Sequence, residues 1–406
     1  MPDLPYLTPD FPGIGGILKQ RPEDFFVQEI PLYEPSGQGE HVYCQIEKVA
    51  LSTFEAVDRL AQALGVNPRD IGYAGMKDAN AVTQQVFSIA GTSESAVMNL
   101  HLDRMRVLWA ARHGNKLRLG HLKANRFAVK IRQVNPTDVV KLTPLIEQLQ
   151  HRGMPNYFGE QRFGRRGDNH LLGAALIRGD DAAVLKLLLG SPQPALDDPR
   201  QRQAREQFDL NNLDASMKSW PRSSGMERRV LARLIKTGAP PAAVRAVDQR
   251  IRRLWVSALQ SQLFNQTVAR RIDSLDRVML GDLAQKHDNG AVFRVQDPAA
   301  EQPRCDAFVI SPTGPMVGYR MTLPEHQPLE IEQEIFASYG LKPADFRLAG
   351  RHKIKGARRS LRVRPTDVEL SSGADEYGPH ITIAFTLPAG SFATVLLGEI
   401  MKTDPQ

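Results

Sequence analysis

The stretch Arg126-Phe127-Ala128-Val129-Lys130-Ile131-Arg132 alternates charged and apolar residues over much of its length, the period of a half-buried strand. Alternation over residues 24–30 predicts another strand, and residues 81–89 and 104–109 predict two more. Residues 1–45 otherwise read as extended and turn-rich. Ser52-Thr53-Phe54-Glu55 has the spacing of a capping box and opens a helix whose apolar face is Val57, Leu60, Ala61 and Leu64. Gly65 closes it at the position where helices turn left-handed. A further helix is predicted near residues 143–152, stopped by Gly153 and Pro155.

Beyond that point the period changes. Residues 169–189 and 227–275 are mostly helical in pattern with Arg-rich polar faces, separated by a Pro- and charge-rich stretch, 191–202, expected to be a surface loop. Short strands return from 290 to 321, and residues 347–386 are basic at first and strand-like later. Strands, then helices, then strands predict an α+β chain with a middle domain inserted into a discontinuous outer one.

Composition narrows the classes. The chain has 406 residues, enough for about two or three domains, and is 42% hydrophobic and 24% charged, as ordinary globular proteins are. Fifty-two Lys and Arg against 45 Asp and Glu leave +7, too small an excess to matter unless it is clustered. Two cysteines, Cys44 and Cys305, cannot build a disulfide framework, and reduced thiols fit a cytoplasmic protein. No apolar run of the ~18 residues a membrane span needs is present, and the opening MPDLPYLTPDFPG lacks the basic and apolar parts of a signal peptide. Neither a membrane protein nor a secreted one is expected.

Candidate chemistry lies in a few polar segments. Gly72-Tyr73-Ala74-Gly75-Met76-Lys77-Asp78 lacks phosphate-loop spacing. It is either a tight turn with an exposed Lys77-Asp78 pair or a rigid, small-residue turn that presents the Asp78 carboxylate to a ligand. The Gly13-Ile14-Gly15-Gly16 cluster lacks the dinucleotide-binding pattern, and His41 with Cys44 has no second ligand pair for zinc. Asn156-Tyr157-Phe158-Gly159-Glu160-Gln161-Arg162-Phe163-Gly164-Arg165-Arg166 interleaves aromatics and arginines in a way that suits RNA bases and phosphates, or equally an aromatic-anchored junction. From Arg347 to Arg364, the residues Arg351, Lys353, Lys355, Arg358, Arg359 and Arg362 occur with no acid among them, and such a run calls for a polyanion.

Taken together these segments resemble the TruD family of tRNA pseudouridine synthases. The resemblance is carried by Lys19-Gln20-Arg21-Pro22-Glu23-Asp24-Phe25, by Ala74-Gly75-Met76-Lys77-Asp78 with Thr83-Gln84-Gln85, and by Pro155-Asn156-Tyr157-Phe158-Gly159. Ser257-Ala258-Leu259-Gln260-Ser261-Gln262-Leu263-Phe264-Asn265, Ser311-Pro312-Thr313-Gly314-Pro315-Met316 and Leu387-Pro388-Ala389-Gly390 add to it, in the family's order over nearly the whole chain.

The resemblance implies a pseudouridine-synthase-type catalytic domain with a mixed, largely antiparallel sheet, over residues 1–152 and 346–406. It also implies an inserted α/β TRUD domain, 153–345, with a cleft between the two. The implied activity is isomerisation of uridine to pseudouridine in tRNA, at position 13 of the D arm of a glutamate-accepting tRNA. Asp78 would be the nucleophile, Lys19 its charge partner, Phe127 the pocket aromatic and Asn125 the neighbouring amide. Either attack on C1′ or assistance to a glycal-type intermediate suits a carboxylate at that place. The reaction is redox-neutral and adds no atoms, so no cofactor and no metal are expected. Arg162, Arg165, Arg358 and Arg359 would hold the tRNA backbone. The tRNA is the expected partner, to a monomer with no obligatory protein partner.

Overall fold

The chain is described by a computed structural model, which covers residues 4–347 and 354–403. It forms two compact units, one of residues 6–154 with 363–406, the other of residues 155–362 with 1–5. Among the described residues no helix is long and apolar enough to cross a membrane.

The first unit is built on an eight-stranded sheet. Its strands in chain order are β1 (Phe25–Pro31), β2 (His41–Val49), β3 (Ile71–Tyr73), β4 (Val82–Ala90), β5 (Met105–His113) and β6 (Leu122–Arg132), followed by the hairpin of Thr366–Asp375 and Gly378–Pro388. Across the sheet the order runs hairpin, β6, β1, β4, β2, β5, with β3 on the flank of β4. The β1–β4 contact is parallel and the others are antiparallel, so the fold is α+β with a mixed, largely antiparallel sheet.

One helix, α1 (Thr53–Leu64), covers the β2–β4 region. Its capping box closes as the spacing predicts: Ser52 Oγ accepts from Glu55 N–H at 3.2 Å, and Glu55 Oε2 accepts from Ser52 N–H at 2.8 Å. Gly65 ends it at φ 67°, where a side chain would be strained. Val57, Leu60 and Ala61 pack with Val42, Cys44, Ile46, Phe87 and Ile89. Each large aliphatic buried this way contributes about 1.5–3 kcal/mol, which far exceeds what helix propensity supplies.

The hairpin is fastened to β6 by charge. Arg132, 2% exposed, donates from Nε and Nη2 to both oxygens of Asp24 at 2.8 and 2.7 Å and from Nη1 to Asp375 at 2.8 Å. These two acids hold the guanidinium protonated more firmly than usual.

In the second unit, helices Asn169–Arg178, Asp181–Leu189, Gly225–Thr237 and Gln249–Arg270 enclose a core of Leu172, Leu185, Leu188, Trp220, Val230 and Trp255. The stretch 191–202 is not all loop, because Pro199–Asp209 is a helix capped by Asp198. A four-stranded sheet of Ala357–Ser360, Ile310–Met316, Leu283–Lys286 and Val292–Arg294, in that order, completes the unit.

Candidate active site

The loop joining β3 to β4, residues 74–81, carries the candidate carboxylate Asp78 and is pinned from below. Lys77 N–H donates to Thr53 Oγ1 at 2.9 Å, that hydroxyl donates to Gln85 Oε1 at 3.1 Å, and Gln85 Nε2 donates to the Gly75 carbonyl at 2.6 Å. Thr53 and Gln85 are 1% and 0% exposed, so these bonds form out of water and hold the loop in one conformation. Gly72 answers a close approach, since a Cβ there would overlap the Leu117 carbonyl and the Ser88 hydroxyl. Gly75 does not: its φ is not positive and a Cβ would meet open space.

At the head of this loop Asp78 keeps about a third of its side chain exposed, 32%, and one carboxylate oxygen forms an ion pair with Lys19 Nζ. The other oxygen accepts from Asn80 N–H at 3.4 Å, a weak contact. Lys19 sits at φ 53°, a left-handed backbone that costs a non-glycine residue about 1–3 kcal/mol. Its ammonium also lies 4.5 Å from the centre of the Phe25 ring, which adds a cation–π attraction. Phe25 meets Phe127 edge-on at 6.3 Å, and Phe127 stacks on Phe385 at 5.2 Å. Phe25 and Phe127 form an apolar floor beside the ion pair, backed by the fully buried Phe385.

Strand register explains why these groups converge. Val27 lies opposite Phe127 and Glu29 opposite Asn125 across β1–β6, while Phe385 lies opposite Phe127 on the hairpin side. Residues two apart on a strand share a face, so Phe25, Glu29, Asn125 and Phe127 look toward the same side. There Lys77 Nζ donates to Asn125 Oδ1 at 2.7 Å and lies 3.6 Å from Glu29 Oε1, with the two ionic side chains 6% and 1% exposed. Glu29 Oε2 accepts from Val86 N–H at 2.9 Å. Burial pushes Glu29 up from the usual carboxylate range and Lys77 down from the usual lysine range, each drawn back by its partner's charge. Lys48, fully buried, is pushed down to about 8, first by burial and then by repulsion from Lys77.

The family model for tRNA pseudouridine synthase D (TruD) matches residues 3–400, which contain the whole of this site. A tRNA pseudouridine synthase D of Geobacter metallireducens is 46% identical over 398 residues, covering 98% of this chain and 97% of the relative. That of Geotalea daltonii is 44% identical over 400 residues, covering 98% and 100%. The chain belongs to the TruD family. A crystal structure of a Methanosarcina mazei protein described as a TruD agrees in fold, with a TM-score of 0.87 at 28% identity, covering 99% of this chain and 96% of that one.

Of the positions that the TruD resemblance picks out, Lys19, Asp78, Asn125 and Phe127 are brought together within the first unit. The four arginines are a different matter. Arg165 is exposed and donates to Gln201 Oε1 at 3.2 Å. Arg358 is not on a solvated basic face: its side chain is 4% exposed and it grips both oxygens of Glu332, 2% exposed, at 3.0 and 2.6 Å. That acid comes from the helix His326–Ser338, so an acid-free stretch of sequence is not an acid-free environment. Arg359 is likewise turned inward, hydrogen-bonded to Asn156 Oδ1 with its guanidinium 4.3 Å from the Phe158 ring, and burial lowers it to about 10. Arg162 donates to Ser257 Oγ at 2.6 Å and Ser261 Oγ at 3.3 Å. Arg351 and Lys353 of the same basic run lie outside the described residues.

Lys77, Lys48 and Gln85 fall in segments that resemble the family but are given no role by that resemblance, and Glu29 and Thr53 are neighbours of the candidate site that motif reasoning misses. Glu29 carries a visible signal, since it falls on the β1 face that Phe25 and Val27 make apolar. An acid in that register needs a buried partner.

Proposed function

We propose that this chain isomerises uridine to pseudouridine at position 13 in the D arm of a glutamate-accepting tRNA, in the cytoplasm, with Asp78 as the nucleophile. The observation that carries the reading is the Lys19–Asp78 ion pair, part-exposed beside an aromatic floor. Cleaving C1′–N1 leaves the bonding electrons on the uracil, and the Asp78 carboxylate bonds to C1′. The detached uracil turns, C5 displaces the carboxylate from C1′, the C5 proton departs, and N1 ends protonated. Atoms and electrons balance without any co-reactant. Lys19 orients Asp78 and offsets the charge that returns to it as the new bond forms. Phe127 and its neighbouring rings give the extruded base an apolar wall, which offsets part of the few kcal/mol needed to unstack it. Arg165 is retained as a contact to the tRNA backbone.

A glycosidase reading would require two acids at one pocket. Asp24 is 1% exposed and bound to Arg132, Glu23 is paired with Arg21 at 3.3 Å, and Glu29 is 1% exposed and paired with Lys77, so each of these carboxylates is already answered by a cation. A purely RNA-binding role is separated by chemistry. Incubation with tRNA tritiated at uridine C5 should release tritium with the native chain and none with Asp78→Asn, while both bind tRNA alike. An Asp78→Asn enzyme with near-normal release sinks the assignment.

A further inference from the structure

Lys77 and Glu29 form a buried ion pair in which the acid also caps the Val86 N–H of β4, whereas the lysine does no such service to the sheet. Replacing such a pair by apolar side chains of similar volume is often neutral or stabilising, so its presence asks what it specifies. The Lys77 ammonium also donates to Asn125 Oδ1 at 2.7 Å. An ammonium donates and never accepts. Of the two ends of the Asn125 amide, the carbonyl must therefore face Lys77 and the NH2 must face away. Turning the amide over would set NH2 against NH3+ and forfeit the hydrogen bond. Asn125 is part-buried, two residues along the strand from Phe127 and on the same face.

We propose that Lys77, seated by Glu29, is a positioning residue that locks the Asn125 amide with its N–H donors toward the substrate, where they bind a carbonyl oxygen of the uracil in both orientations the base adopts. The inference rests on the uridine-isomerase reading and deepens it to the recognition of the base. Uracil is nearly symmetric about its N3–C6 axis, so turning it over brings O2 to the place O4 held. One fixed donor then meets an acceptor before and after the turn. Cytosine bears an amine at C4, so in one of the two orientations it would present a donor to a donor. A freely turning asparagine would tolerate either base, whereas a lysine-locked one favours uracil throughout the reaction.

The test uses the full chain and tRNA carrying uridine, 2-thiouridine or 4-thiouridine at the modified position, with kcat and KM measured separately. Sulfur is a weaker acceptor than oxygen, so both thio substitutions should slow the native enzyme, each by about tenfold. Glu29→Gln/Lys77→Met removes both charges at near-constant volume. It should unfold cooperatively near the native temperature, lose at least about tenfold in kcat on uridine, and respond little to either sulfur. Asn125→Asp, which leaves Lys77 an acceptor but no donor for the base, should also lose sensitivity to sulfur. It reports on the idea even if the double variant folds poorly. A folded variant of either kind that keeps the native rate or the native sulfur sensitivity overturns the proposal. Asp78→Asn, run beside them, separates the two readings: activity there sinks the site assignment, whereas an inactive Asp78→Asn with unchanged sulfur effects in the other variants sinks only the proposal for Lys77 and Asn125.

Discussion

Lys77 and Asp78 are adjacent in sequence and opposite in environment, the one 6% exposed and the other 32%. The difference comes from the loop's anchors: Thr53 and Gln85 fix the backbone at Gly75 and Lys77, and Asp78, one residue past the last anchor, is left to meet solvent and Lys19. Lys19→Met keeps the stem over Phe25 and removes the charge. It should lower kcat by about a hundredfold, the scale of one oriented electrostatic group, with little change in tRNA Kd measured by filter binding. Lys48 offers a prediction in pH. Its ammonium titrates near 8 when folded and near the ordinary 10.5 when unfolded. Between those values the unfolded chain holds a proton that the folded chain has released, so this group makes stability rise with pH across that window. Denaturant unfolding at pH 7.5, 9 and 10.5 (roughly the window's span) should show Lys48→Met losing that upward slope relative to the native chain. An equal slope in both would mean the lysine stays charged throughout.

Elements with a strict period are legible in the sequence, and those buried on both faces are not. β6 shows in its alternation and α1 in its cap and stripe, because each has one wet face that writes the period into the residue types. β2 escapes that reading. Its Val42, Tyr43, Cys44, Gln45 and Ile46 are buried in succession, so no alternation marks it, and the turn-rich residues before it point toward extended coil. The helix Pro298–Asp306 hides behind its prolines: Pro298 is a favourable start, while Pro303 inside the helix argues for a turn. The same blindness to partners misplaces Arg358, whose acid lies 26 residues earlier in sequence. The correction changes the prediction for that residue from binding to stability. Arg358→Ala strands Glu332, which burial already pushes up and which Arg358 holds down, and should cost about 3–5 kcal/mol by denaturant unfolding. A loss below about 1 kcal/mol would return Arg358 to the surface.

For the molecule as a whole, the +7 excess is less informative than where its charges are spent. Arg132, Arg166, Arg271 and Arg358 are each committed to acids inside the fold. Counting arginines in the sequence therefore overstates what is free to meet a polyanion, and the tRNA contact proposed for Arg165 rests on its being exposed. Phosphate binding releases counterions, so log Kd varies with log salt in proportion to the phosphates neutralised. Arg165→Ala should weaken tRNA binding and reduce the magnitude of that slope by about one, measured between 50 and 200 mM salt (roughly the range where the effect is resolved). Asp78→Asn should leave the slope as it is, because its charge is already answered by Lys19 and the role proposed for it is toward the base, not the phosphates. Arg165→Ala with the native slope would place that guanidinium off the RNA, and the contact would have to be sought among the other exposed cations.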